Sequence, residues 1–114
     1  MVELPRMERS LENPRFMEKV FGPAEREELA AKSGRRLVES AAAAFAAKEA
    51  FSKAVGTGVR GFALSEVEVV HDDLGAPSLR LSGRASALAG GRSFTLSLTH
   101  TDHYAAAVVI AFTA

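Results

Sequence analysis

A carboxylate and two ammonium groups are spaced along one alanine-rich stretch, Phe45-Ala-Ala-Lys-Glu-Ala-Phe-Ser-Lys-Ala, which soon breaks into Gly56-Thr57-Gly58. Glu49 offers oxygen to a hard cation. Magnesium needs only one or two carboxylates when waters and substrate phosphates fill its other positions. Lys48 and Lys53 beside it could neutralise charge developing on a phosphate leaving group. The Gly-Thr-Gly break would let backbone approach a ligand closely. Together these residue types point to a diphosphate site. The same spacing also describes an ordinary helix with a Glu–Lys i,i+4 pair, worth roughly 0.2–0.5 kcal/mol, closed by a glycine stop.

Other chemistry-bearing residues are more scattered. His100 continues the Phe94, Leu96, Leu98 face of an alternating segment, as a ligand contact or as a strand-end histidine satisfied by backbone. His100 and His103 flank Thr101, but no further nitrogen or sulfur ligand stands near to complete a zinc site. His71, beside Asp72 and Asp73, reads as a surface residue. Arg6, Arg9, Arg15 and Lys19 accompany Met7, Phe16 and Met17. That basic, apolar-studded face is either a plain amphipathic surface or a dock for an acidic helix. Nucleophile elbows, Walker loops and dinucleotide fingerprints are absent from the sequence.

The elements that must position these groups follow from periodicity and punctuation. Apolar residues from Met7 to Val20 predict two short helical pieces, broken at Asn13-Pro14. Gly22-Pro23 starts a helix over Ala24–Lys32. A long alanine-rich helix is expected from Arg35 to about Val55. At about 100° per residue, Val38, Ala41, Ala42, Phe45, Glu49 and Ser52 share one sector, which puts Glu49 in the apolar stripe with Lys48 flanking it. A carboxylate there must be paired, protonated or bound to metal. The period then changes to two. Glu66–His71 and Ser78–Ser82 predict a hairpin around Asp72–Pro77, followed by a short helix over Arg84–Ala89. Phe94–His100 and the apolar run Tyr104–Phe112 read as strands joined by a tight turn, with no strand expected in Met1–Arg9. The fold class is α+β, with a long central helix packed on a mainly antiparallel sheet.

Bulk properties restrict the function. Residues 1–114, 47% hydrophobic and 25% charged, fit one soluble globular domain. Fourteen basic residues balance fourteen acidic ones, so no bulk positive field is available for nucleic acid. The absence of cysteine excludes disulfides, thiolate metal sites and thiol catalysis. No apolar run approaches the roughly 18 residues of a membrane span, and the charged start is unlike a signal peptide. Neither a nucleic acid nor a membrane partner is expected, and the expected setting is the cytoplasm.

The stretch from Phe45 to Ala54 with Gly56-Thr57-Gly58 is similar to the central motif of bacterial holo-acyl-carrier-protein synthases, the small 4′-phosphopantetheinyl transferases. Further matches follow in the right order: Val2–Arg6, Arg15-Phe16 through Val20-Phe21, the hairpin Val67–Leu81 and its Asp-x-x-Gly-x-Pro turn, and Leu96–Thr101 running into Tyr104–Val109. The resemblance implies a 4′-phosphopantetheinyl transferase-like fold. It implies magnesium-dependent transfer of the phosphopantetheine arm of coenzyme A to a serine of apo-acyl carrier protein, for fatty acid biosynthesis and so lipid metabolism. It also implies a homotrimer with active sites between subunits. By the same resemblance Glu49 is the metal ligand, and Glu49 and Lys53 are catalytic. Lys48, Lys53, Gly56, Thr57, Gly58, Thr99, His100 and Thr101 line the coenzyme A pocket. Arg6, Arg15, Phe16 and Met17 face the carrier protein.

Two departures from the family pattern stand out. The family opens with a strand ending Gly-Ile-Asp, whose aspartate is the other protein ligand to magnesium. Here Met1 stands just after that position, so the first strand is expected to be missing, through a truncated or misplaced start. Ala44 replaces the arginine that usually precedes Phe45. The alternative implied by these departures is a degenerate, non-catalytic relative that binds carrier protein or coenzyme A.

Overall fold

The computed structural model describes residues 1–113. Strand β1 (Val2–Glu3) leads into helices α1 (Leu4–Ser10), α2 (Pro14–Val20) and α3 (Pro23–Ala30), then the long α4 (Gly34–Ala54). Strands β2 (Val67–His71) and β3 (Pro77–Leu81), helix α5 (Gly83–Ala89), and strands β4 (Ser93–His100) and β5 (Tyr104–Phe112) follow. Each early helix begins on a proline in its first turn, where the missing N–H costs no hydrogen bond. Asn13 caps α2 by accepting from the Arg15 N–H at 3.0 Å. The break anticipated at Asn13-Pro14 therefore separates two real helices.

Among the described residues all strand pairing is antiparallel, in two sheets: β1-β5-β4 and the β2-β3 hairpin. The long register of β4 against β5, from Ser93↔Phe112 to His100↔Ala105, brings the ends of both strands to the Thr101–His103 turn. The α+β reading thus holds, with α4 packed against β5, β4, β2 and α1. One element differs. Val2 and Glu3 pair with Ala105 and Tyr104, in a segment where no strand was expected, because two residues carry too little alternation to register.

Alanine makes the core possible. Ala41, Ala42, Ala43, Ala44, Ala46 and Ala47 are all buried, so neighbouring elements can enclose α4 on more than one side. Around it gather Leu4, Met7, Val20, Phe21, Leu29 and Val69. A smaller cluster has Phe51 at its centre, with the Phe62 and Phe94 rings at 5.3 and 5.1 Å.

Candidate active site

Glu49 lies on the last third of α4, half-exposed, at one end of a cleft of about 380 Å³. Glu3, Arg6, Met7, Ser10 and Phe16, from β1 and the first two helices, form the facing wall. Phe16 stacks on Phe45 at 6.3 Å with a 20° interplanar angle, fixing the floor one turn before Glu49. The Glu49 carboxylate makes no hydrogen bond or ion pair among the described residues, and none joins it to Lys53. An unpaired carboxylate in an open cleft, with Glu3 on the facing wall, fits a hard divalent cation that keeps part of its water shell. No group of three or more potential ligands occurs among the described residues, so substrate oxygens and water would have to complete such a site.

The structure reverses the expected placements of Glu49 and Lys48. Lys48, expected against coenzyme phosphates, is 0% exposed. Its ammonium donates to Glu25 Oε1 at 2.6 Å, to the Leu64 carbonyl at 3.1 Å and to the Val67 carbonyl. All three protons are used, and the Phe21 ring centroid lies 5.5 Å away. Burial lowers the Lys48 pKa and raises that of Glu25, each effect being opposed by the other's charge. The helical-wheel sector missed this because α4 is enclosed on several faces rather than along one stripe. Glu25 also accepts from the Val69 N–H at 2.8 Å and the Gly22 N–H at 3.1 Å. Glu68 accepts from the first N–H groups of α3, Ala24 at 2.7 Å and Glu25 at 3.1 Å. This network locks α3, α4 and β2 together directly behind Glu49.

Lys53 is exposed one turn beyond Glu49, and the loop after it turns through glycines in the left-handed region, Gly56 at φ 82° and Gly58 at φ 62°. Neither would meet a neighbour with a Cβ, so backbone conformation rather than crowding selects glycine there. Thr57 donates its hydroxyl to the exposed Gly58 carbonyl at 2.8 Å.

Thr99, His100 and Thr101 are exposed at the end of β4. His100 does not share the Glu49 cleft. It borders a separate one of about 260 Å³ between α3, α4, β2 and β4. His100 Nε2 lies 3.4 Å from Glu39 Oε2, and Arg35 Nε donates to the same oxygen at 3.0 Å. Arg35 also donates to the Asp102 carbonyl at 2.7 Å, tying the β4–β5 turn to α4. His71, read as a lone surface residue, pairs its Nδ1 with Glu28 Oε1 at 2.9 Å. Sequence alone missed the Glu28 and Glu39 partners because they come from helices far along the chain.

On the first helices Arg6 and Arg15 are exposed, Phe16 is half-buried, and Met17 packs partly into the core. The outer face of β5 is apolar, with Val108 60% and Ile110 55% exposed and Tyr104 and Phe112 also open. β4 pairs with it through Ser93, Thr95 and Ser97, whose side chains are exposed.

Residues 1–109 match the family model described as the 4′-phosphopantetheinyl transferase superfamily. Similar proteins include a holo-[acyl-carrier-protein] synthase of Caldanaerobacter subterraneus, 39% identical over 97% of this chain and 89% of the relative. A synthase of Treponema denticola is 44% identical over 96% and 91%. The fold is shared with solved synthases. The Bacillus anthracis enzyme in complex with CoA (3′,5′-ADP) has a TM-score of 0.85 at 37% identity, covering 99% of this chain and 91% of that one. The Helicobacter pylori enzyme in complex with coenzyme A gives 0.82 at 26% identity, over 96% and 94%.

Proposed function

The chain belongs to the 4′-phosphopantetheinyl transferase superfamily, as an enzyme of the holo-acyl-carrier-protein synthase type, and from that premise we propose that it transfers the phosphopantetheine arm of coenzyme A to a serine of apo-acyl carrier protein. The observation that carries this reading is Glu49, an unpaired carboxylate at the wall of an open cleft, with Lys53 one turn beyond it on the same helix. In the reaction the serine oxygen bonds to the β-phosphorus while the diphosphate P–O bond breaks. The hydroxyl loses its proton, and adenosine 3′,5′-bisphosphate leaves. A magnesium ion held by Glu49 would supply charge neutralisation across the diphosphate oxygens. Lys53 meets the charge that develops on the leaving phosphate, and its exposed, flexible stem suits a point charge that follows that group. The glycines at 56 and 58 let backbone N–H groups lie against phosphate without side-chain obstruction. Lys48 is left out of the binding set, since its ammonium is spent in the core.

The working unit in this reading is a homotrimer. Glu49 and His100 stand in different clefts of one chain, so a pocket that uses both, with Thr99 and Thr101, takes them from neighbouring copies. The exposed valine and isoleucine of β5 supply an apolar surface for that assembly. The carrier protein docks on Arg6, Arg15 and Phe16, beside the cleft that Arg6 and Phe16 already line. Met17, half-turned into the core, supports that face. We place the acceptor in fatty acid biosynthesis and the enzyme in the cytoplasm, in keeping with a chain that contains no cysteine. The test is incubation of apo-carrier protein with coenzyme A and this chain, with magnesium or with a chelator. The serine acquires the arm only with the metal. Carrier-protein binding without modification in either case would refute transferase activity.

A further inference from the structure

Helix α1 divides its charges between two clefts. Arg6 and Arg9 border one, shared with Asn13 and Phe16. Glu8 and Glu12, one turn apart, border the other, a groove of about 830 Å³ between α1, the start of α4 and the β4–β5 turn. The floor of that groove is apolar, with Leu4 and Val38 buried in it and Leu11 and Leu37 half-buried. Its rim is acidic. The Glu8 and Glu12 side chains are exposed and make no hydrogen bond or ion pair among the described residues. Asp102 adds a third carboxylate from the turn. Arg35, the one lysine or arginine in the lining, is already engaged by Glu39 at 3.0 Å and by the Asp102 carbonyl at 2.7 Å. The groove therefore carries net negative charge over an apolar floor.

Its walls are tied to one another within the chain. The Leu4 N–H donates to the His103 carbonyl at 2.8 Å, which joins α1 to the turn, and Arg35 joins the turn to α4. A preformed groove gives up little freedom when a partner arrives, so more of each contact is realised as affinity. Carboxylates at i and i+4 on a helix stand roughly 5–6 Å apart at Cβ. They match cationic side chains spaced by one turn on a facing helix, whose apolar side chains then lie along the floor.

We propose that this groove docks a basic amphipathic segment of another protein. Its apolar side chains lie on the leucine and valine floor, and its lysines or arginines meet Glu8, Glu12 and Asp102. An anionic surface is repelled there, which separates this face from the arginine-bearing face assigned above to the carrier protein. The inference stands on the groove alone and does not depend on the transferase reading.

Fluorescence anisotropy on the full chain tests this with two labelled synthetic peptides. One is built of leucine and lysine at helical spacing, and the other has every leucine replaced by serine. Wild type is expected to bind the leucine–lysine peptide about tenfold or more tightly than the serine–lysine peptide, since the floor favours only the first. Glu8→Gln/Glu12→Gln should weaken the leucine–lysine peptide about fivefold, the value of two exposed ion pairs. Both side chains are exposed, so thermal unfolding of that variant should match wild type. Equal binding of the two peptides would mean attraction to charge alone and would overturn the proposal, as would an unchanged affinity in the double variant. No binding by wild type would overturn it too. Sedimentation that shifts to smaller species in the double variant would then assign the groove to a second copy of the chain.

Discussion

Replacing Lys48 by methionine separates a structural lysine from a ligand-binding one. In the folded chain its ammonium is 0% exposed and serves three acceptors, Glu25 Oε1 and the carbonyls of Leu64 and Val67. Lys48→Met leaves the Glu25 carboxylate buried with only the Val69 and Gly22 N–H groups, and takes a donor away from the Leu64 and Val67 carbonyls. Breaking one side of a buried pair in this way costs about 3–5 kcal/mol, a large share of the roughly 5–15 kcal/mol that a domain possesses. With a urea slope of about 2 kcal/mol/M, the unfolding midpoint should fall by roughly 1.5–2.5 M. Glu25, whose pKa burial already raises, would lose the cation that opposes the rise. A carboxyl with a raised folded pKa stabilises the fold below its unfolded value and loses that contribution as pH climbs through the folded one. The deficit of Lys48→Met should therefore shrink as the solution is acidified. The double variant Glu25→Gln/Lys48→Met removes the orphaned charge and should recover at least half of the loss. Chemical denaturation followed by circular dichroism reads all of this. A Lys48→Met protein within about 1 kcal/mol of wild type that had lost coenzyme A affinity would refute the reasoning and return Lys48 to the binding site.

Other perturbations probe the remaining arguments. Glu49→Gln, inactive alone, and His100→Ala, weak alone at low coenzyme A, should regain activity when unfolded and refolded together, because mixed assemblies rebuild an intact composite site; a mixture no better than the average of its parts would contradict shared sites. Val108→Asp with Ile110→Asp should shift the chain to monomers in analytical ultracentrifugation and abolish transfer, whereas unchanged sedimentation would clear β5 of any role in assembly. Glu66, held below its usual carboxyl pKa chiefly by the Ala63 N–H at 3.0 Å, adds stability that is present above the ordinary value of 4.5 and lost as pH falls through the folded value. Glu66→Gln should accordingly flatten the stability profile in that acid range and nowhere else. At Gly22 a Cβ would stand 2.5 Å from the Glu68 carboxyl that caps α3, so Gly22→Ala should cost about 1–3 kcal/mol, measurable as a lowered melting temperature.

Local features carried most of the architecture. Prolines opened the short helices, alternation marked β2 to β4, an apolar run marked β5, and the alanine run with a glycine stop bounded α4 to within a residue or so. What sequence could not supply was depth. Lys48 and Glu49 are neighbours on one helix, and a wheel placed the carboxylate inside and the ammonium at the edge. Only Glu25 and β2, brought in from more than 15 residues away on either side, decide that the lysine is the buried one. The two-residue strand β1 is equally a product of tertiary pairing, since Val2 and Glu3 have strand geometry only because β5 offers them partners. Among the site residues, Glu49, Lys53 and the glycine loop could be singled out as candidates because their chemistry and spacing lie within three turns of chain. The second cleft was not, because Lys32, Ser40, Ala44 and His100 come together only through α3, α4 and β4.

The most direct measurement is the intact mass of apo-carrier protein after incubation with coenzyme A, magnesium and either wild type or Glu49→Gln. The account predicts the gain of one phosphopantetheine arm with wild type, and none with Glu49→Gln although that variant unfolds at an unchanged denaturant concentration. Equal modification by both proteins would contradict the role of Glu49, and no modification by either would contradict the transferase reading itself.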